Sequence, residues 1–159
     1  MIGITIIAVG KIKEKYFTDA INEYKKRLSR FAKVNIIEIP DAKIPDNASD
    51  KECAAILEKE GAGILSKIPD NAYVAAMCIE GKPISSEELA AKITDVSMTR
   101  SHIAFIIGGS LGLSGAVKAC ADARISFGRI TLPHQLMRVV LSEQIYRAFK
   151  INNNESYHK

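Results

Sequence analysis

Four short apolar runs, Ile2 to Val9, Val34 to Ile39, Ala72 to Ile79 and His102 to Ile107, alternate with stretches of helical spacing. This alternation constrains the fold more than any other property of the chain. Short β-branched runs closed by Gly or Pro read as strands. Strands that alternate with helices are joined by crossovers, which make a sheet parallel. The expectation is an α/β layered domain with a mainly parallel sheet, spanning residues 1–159 as a single unit. Strand order is not legible at this level.

Between these runs, Tyr16 to Arg30 carries Phe17, Ala20, Ile21, Tyr24 and Leu28 at helical spacing. Pro40 to Asn47 reads as a proline-punctuated loop, and Ser49 or Asp50 is placed to cap a helix reaching about Lys67, weakened by Gly61 and Gly63. Ala72 to Ile79 is apolar throughout, which predicts a central strand, with Glu80-Gly81-Lys82-Pro83 as its closing turn. Ser85 with Glu88 three residues on predicts a capping box for a helix to about Ser97. Ser114 to Ala123 reads as a short helix, and Ile125 with Phe127 as a small fifth strand. Pro133 suits the first turn of a long helix to about Lys150. Its apolar surface, Met137, Leu141, Ile145 and Ala148 widened by Leu136, Val139, Val140 and Phe149, exceeds what one sheet face covers, so a homodimer is expected.

The N-terminal apolar run has no basic segment before it, is too short to span a bilayer, and meets Lys11, Lys13 and Lys15 directly. It reads as a buried strand of a cytoplasmic protein, without a membrane anchor. Cys53, Cys78 and Cys120 are widely spaced, with no CxxC and no His at ligand spacing, so neither a disulfide framework nor a metal site is encoded. Residues 1–99 carry 14 Lys and Arg against 15 Asp and Glu, whereas residues 100–159 carry 8 against 3. The basic excess in the last third suits a polyanion such as RNA, although charge alone is equally served by a solvated basic face.

Two strand-to-helix junctions hold the chemistry, the turn Gly108-Gly109-Ser110-Leu111-Gly112-Leu113 and the run Ser126 to Arg138. In open α/β sheets such junctions gather at the carboxyl edge, where ligands bind. The glycine turn is not GxGxxG, and no GxxxxGK[ST] exists, so a pyrophosphate cradle is poorly supported. It is read either as a tight turn or as a platform on which a flat adenine lies close to backbone. Gly108-Gly109-Ser110-Leu111-Gly112 also matches a GxSxG nucleophile elbow, with Asp122 and His134 in hydrolase order. Asp122 then sits on the short helix just past the serine and no oxyanion-hole motif is visible, so the match is taken as accidental. His134 is either a base or a helix-terminal structural histidine. Arg138 is either an oxyanion partner facing the edge or half of an ion pair, and Glu143 with Arg147 is a helix pair. The tail Tyr157-His158-Lys159 combines an aromatic ring, a titratable imidazole and a cation.

Phe105 to Leu113, Phe127 to Arg138, Leu141 to Ala148, the terminal Tyr157-His158-Lys159 and the opening Ile6 to Lys13 together resemble the bacterial ribosomal RNA large-subunit methyltransferase H family. The likeness runs over essentially the whole chain. It implies a SPOUT-class fold with a C-terminal trefoil knot, a homodimer, and S-adenosylmethionine bound within the knot. The implied reaction is methylation of N3 of a pseudouridine in helix 69 of 23S rRNA on the assembled ribosome. By position, the cofactor contacts implied are Met77, Gly108, Phe127, Gly128, Arg129, Ile130, Thr131 and Leu132, with the Arg129 side chain turned outward because a sulfonium avoids cations.

On the same resemblance, His158, from the tail of one subunit or the other, is expected to help remove the N3 proton. Arg138 is expected to stabilise the resulting anion and Tyr157 to position the base. Two departures stand out: Gly128 where serine is frequent, and Asn154 where glycine is frequent. Asparagine tolerates positive φ, so the path of the tail is expected to survive.

Overall fold

The computed structural model describes residues 1–159. Its order is β1 (Ile2–Val9), α1 (Lys15–Leu28), β2 (Ala32–Ile39), α2 (Asp50–Leu65), β3 (Tyr73–Pro83), α3 (Ser86–Ser97), β4 (His102–Ile107), α4 (Gly115–Cys120), β5 (Ala123–Ser126) and α5 (His134–Asn152). The five strands form one sheet in the order β2-β1-β4-β3-β5, and every pairing is parallel. β4 is central, with β1 and β3 on either side, and β1 and β4 are buried over nearly their whole length, as a sheet covered on both faces requires. β2, at one edge, alternates buried and exposed positions.

Helices cover both faces. Leu28 of α1, Leu89 and Ile93 of α3, and Leu141, Ile145 and Ala148 of α5 share one core with Ile4, Ile6, Ile103 and Phe105. Ile64 of α2 and Val117 of α4 share the other core with Ile7, Val74, Ala76 and Ile106. Each fully buried Ile or Leu contributes about 1.5–3 kcal/mol relative to exposure. Both predicted helix starts hold: Ser49 with Glu52 and Ser85 with Glu88 form reciprocal capping boxes, each worth roughly 1 kcal/mol. No helix is long and apolar enough to cross a membrane.

Several boundaries depart from the sequence reading: β5 ends at Ser126, before Phe127, Pro133 caps α5 from outside, and two others bear on the site. Glu80-Gly81-Lys82-Pro83 does not end β3. The strand continues to Pro83, and Ile125 of β5 is paired with both Met77 and Lys82. A Cβ on Gly81 would lie 2.8 Å from the backbone of Arg124 and Ile125, so a residue that looks like turn chemistry is in fact the point where two backbones touch. α4 also stops short of Ala123. Asp122 donates its N–H to the Val74 carbonyl at 2.9 Å and accepts the Val74 N–H on its carboxylate at 2.8 Å, which pulls the chain off the helix and onto β3.

The consequence for function is geometric. α3, which leaves β3, lies on one face of the sheet, whereas α4, which leaves the neighbouring β4, lies on the other. Diverging connections open a crevice at the carboxyl ends of those strands.

Candidate active site

The crevice is a cleft of about 750 Å³, open on one side. The end of β3 supplies Met77 to Glu80, the turn after β4 supplies Ile107 to Leu113, and the run leaving β5 supplies Ser126 to Gly128 and Ile130 to Pro133. His134 and Met137 from the start of α5 close it. The two junctions singled out in the sequence therefore meet in one place. Of the residues expected to touch a cofactor, Met77, Gly108, Phe127, Gly128, Ile130, Thr131 and Leu132 line the cleft. The Arg129 side chain is exposed and lines no part of it.

The glycine turn is held by a hydrogen bond from the Gly112 N–H to the Gly109 carbonyl at 3.0 Å. A Cβ on Gly108 would fall 2.3 Å from the Gly112 carbonyl oxygen. Only glycine lets these two backbone segments approach so closely while presenting amides and carbonyls to a planar ligand. Gly108→Ala is expected to abolish detectable uptake of a cleft ligand by calorimetry, while the sheet, read by circular dichroism, persists. On the opposite wall the Ser126 hydroxyl accepts the Gly128 N–H at 3.1 Å and donates to the Gly128 carbonyl at 3.0 Å, shaping the loop from within.

The electrostatics are unusual for a nucleotide site. Lys118 is the sole Lys or Arg lining the cleft, and its ammonium is paired with Glu80. That hydrogen bond holds the Glu80 carboxyl below its ordinary range. Cys78 is an apolar wall rather than a nucleophile, because burial pushes its thiol up. A cleft with apolar walls, backbone polar groups, a glycine turn and no unpaired Lys or Arg fits an adenosine bearing a cationic sulfonium and no phosphates. It does not fit a nucleoside triphosphate.

His134 is the titratable group at the base of α5. Burial, and then the nearby Arg138 charge, push its imidazole down. Arg138 Nη2 stands 3.4 Å from His134 Nδ1, and a guanidinium only donates, so Nδ1 is the unprotonated nitrogen. His102, whose Nε2 contacts the Thr5 hydroxyl at 2.7 Å, is pushed down by burial too. Both groups protonate more readily when unfolded, so their contribution to stability is complete above an unfolded value of about 6.5 and is lost as pH falls through the lower folded values. Urea unfolding at falling pH is expected to show this loss, and His134→Gln to show a shallower one.

Of the two readings of Arg138, the ion pair is the one present, with Glu38 as partner. Expected at the edge facing a substrate base, the Arg138 side chain is fully buried between α5 and the ends of β1 and β2. Nη1 donates to Glu38 at 2.8 Å, and Nη2 donates to the carbonyls of Gly10 at 2.6 Å and Val9 at 3.2 Å. Its charge is committed to holding the sheet edge, and it lines no part of the cleft. The GxSxG reading also fails: Asp122 is bound to Val74, and no Ser, His and Asp chain forms.

The tail is ordered against α5, with Asn154 in the left-handed region at φ 53°. The Tyr157 ring meets Tyr146 edge-on at 5.0 Å and lies under the Arg147 guanidinium at 4.7 Å. Its hydroxyl donates to Glu143 at 3.1 Å. Burial, and then Glu143, push the phenol up to about 12, so it is a donor and not a base. The expected Glu143–Arg147 helix pair is present at 2.6 Å. Neither Tyr157 nor His158 lines the cleft of its own chain.

The sequence reading missed Glu80, Lys118, Glu38 and Glu87. A lone acid at the end of an apolar strand was the available signal for Glu80. For the others there was none, because their partners lie far away in the chain.

A family model described as "Predicted SPOUT methyltransferase" matches residues 2–158. Relatives named ribosomal RNA large subunit methyltransferase H from Listeria monocytogenes and Clostridium beijerinckii are each 57% identical over 158 residues, and one from Lactobacillus acidophilus is 58% identical. In each case 99% of both chains is covered. Among solved structures, a probable methylase family protein from Haemophilus influenzae Rd KW20 superposes with a TM-score of 0.55 at 14% identity, covering 98% of this chain and 70% of that one, which is a likeness of fold. With a family match over residues 2–158 and relatives above half identity along the whole chain, the protein with this cleft at the carboxyl edge of a parallel sheet belongs to the SPOUT methyltransferase family.

Proposed function

We propose that this chain is an S-adenosylmethionine-dependent methyltransferase of ribosomal RNA. Its target on this reading is N3 of a pseudouridine in helix 69 of 23S rRNA on the assembled ribosome, in the cytoplasm, and it works as a homodimer of single-domain subunits. The observation that carries the reading is the cleft, glycine-floored and without an unpaired Lys or Arg, in a chain 57% identical along its length to proteins named for this activity. When bound, S-adenosylmethionine supplies a methyl group made electrophilic by its sulfonium.

The remaining work falls to the chain. Met77, Gly108 and the run Phe127 to Leu132 hold the donor, with the Arg129 side chain left free at the mouth for an RNA phosphate. Alignment of nucleophile and methyl group is the main contribution, since in-line displacement rewards orientation. The imide N3 is a poor nucleophile until it loses its proton, and His158 is the group that takes it, with Tyr157 against the base. Because the tail lines no part of its own cleft, the tail of one subunit serves the cleft of the other. The half-buried Leu136, Val139 and Val140 of α5 support such a contact. On this reading the C-terminal segment is threaded into the trefoil knot of the class, an expectation that rests on the full-length family match.

The experiment is transfer of labelled methyl from S-adenosylmethionine to ribosomes of a strain lacking the modification, with calorimetry for donor uptake. Transfer to N3 is the expected result. Uptake without transfer leaves a ribosome-binding module, and no uptake of the donor or its demethylated product refutes the reading. Ser110→Ala retains activity, since Ser110 is a turn residue and not a nucleophile.

A further inference from the structure

α3 begins with a capping box that uses Ser85 and Glu88 and leaves the intervening Glu87 free for another partner. That partner comes from 71 residues away: Glu87 Oε1 lies 2.6 Å from His158 Nε2. On the other side of the ring, Arg147 Nη1 lies 3.2 Å from His158 Nδ1. An arginine donates and never accepts, so Nδ1 carries the lone pair and Nε2 carries the proton that Glu87 accepts. Arg147 is itself fixed by Glu143, whose Oε1 takes Nε at 3.0 Å and Nη2 at 2.6 Å.

The charged and titratable groups around the imidazole are therefore Glu87 from α3, Arg147 backed by Glu143 from α5, and Tyr157 and Lys159 beside it in the tail. Among them Glu87 is the one acceptor on the ring. Arg147 keeps two hydrogen bonds to Glu143 if it releases Nδ1, and its contact with the ring is longer than either of them. Nδ1 is thus the nitrogen that can be uncovered.

We propose that Glu87 is a positioning residue for methyl transfer: it fixes the Nε2–H tautomer of His158, aims Nδ1 at the substrate imide, and steadies the imidazolium formed there. This rests on the reading of His158 as the base. In the step, the N3–H bond breaks and its proton passes to Nδ1. The electron pair stays on the imide nitrogen, and Glu87 remains a carboxylate facing a ring that now carries both protons. Its own backbone N–H, and then the His158 contact, already hold the Glu87 carboxyl below its ordinary range. The arrangement follows the orienting logic of an acid that holds a histidine base in one tautomer without taking the proton itself.

The test uses the full-length protein and ribosomes lacking the modification. Positioned bases supply about 10²–10⁴-fold in rate. Because Glu87 is exposed, Glu87→Gln is expected to forfeit part of that, roughly tenfold in single-turnover rate, with donor affinity and KM for ribosomes unchanged. Glu87→Asp, which keeps a carboxylate, restores part of the single-turnover rate. Nitrogen NMR of the free protein gives a readout independent of turnover. His158 shows the Nε2–H tautomer in the parent chain and in Arg147→Ala, where Glu87 alone holds the ring, and a mixture once Glu87→Ala is added to Arg147→Ala. An effect on KM alone, or a tautomer unchanged when Glu87→Ala is added to Arg147→Ala, overturns the inference while leaving His158→Ala inactive. Full activity in His158→Ala overturns the reading beneath it as well.

Discussion

Truncation after Ser156 abolishes methyl transfer to ribosomes and leaves donor uptake nearly intact. The two effects separate because the cleft and the tail share no residues within one chain: the cleft residues lie between Met77 and Met137, whereas Tyr157 and His158 sit against α5 and the start of α3. Removing the tail costs the fold little. Its main packing contact is the edge-on Tyr146–Tyr157 pair, worth about 0.5–1.5 kcal/mol, and the exposed His158–Glu87 pair adds less. It costs the reaction everything that a positioned base provides. Single-turnover transfer with calorimetry on the same preparation checks both halves. Full activity in the truncated protein refutes the role of the tail, and loss of donor binding refutes the division between cleft and tail.

Arg138→Ala is expected to lower stability by roughly 3–5 kcal/mol, the cost of removing one member of a buried charged network. In a chain of this length that corresponds to a fall in Tm of about 10 °C or more. Glu38 is 39% exposed and recovers water, so it is not the source of the loss. The source is the carbonyls of Val9 and Gly10, left at the end of β1 without a donor, together with the space the guanidinium filled. Arg138→Lys recovers part of the stability, since one ammonium cannot reproduce the fork that reaches Glu38 and the strand end together. Chemical denaturation of the three proteins measures this. A drop under 1 kcal/mol in Arg138→Ala would restore Arg138 as a candidate for the substrate side.

What could be read ahead of the structure was whatever depends on near neighbours in the chain. β1 and β4 appeared at their observed bounds, since a β-branched run closed by glycine admits little else. The Ser85–Glu88 capping box and the Ser49 cap appeared because both are completed within three residues of chain, although the part of Glu52 in a second box did not. The family resemblance, carried by long motifs in order, brought the cleft residues with it. Gly81 was misread because a glycine needed for close approach and one needed for a turn look alike until the second backbone is present.

By itself, then, the order of residues determined a parallel α/β sheet, its helix starts and the two loops that meet at its carboxyl edge, because strand and helix periodicity and capping act over a few residues. The tertiary structure decided that Arg138 serves the sheet edge through a partner 100 residues distant, that β5 lies against two stretches of β3, and that His158 is held by Glu87 across 71 residues. Such contacts have no local signature. A buried charge takes whichever partner the packed chain brings within hydrogen-bonding distance, and only the assembled layers say which that is.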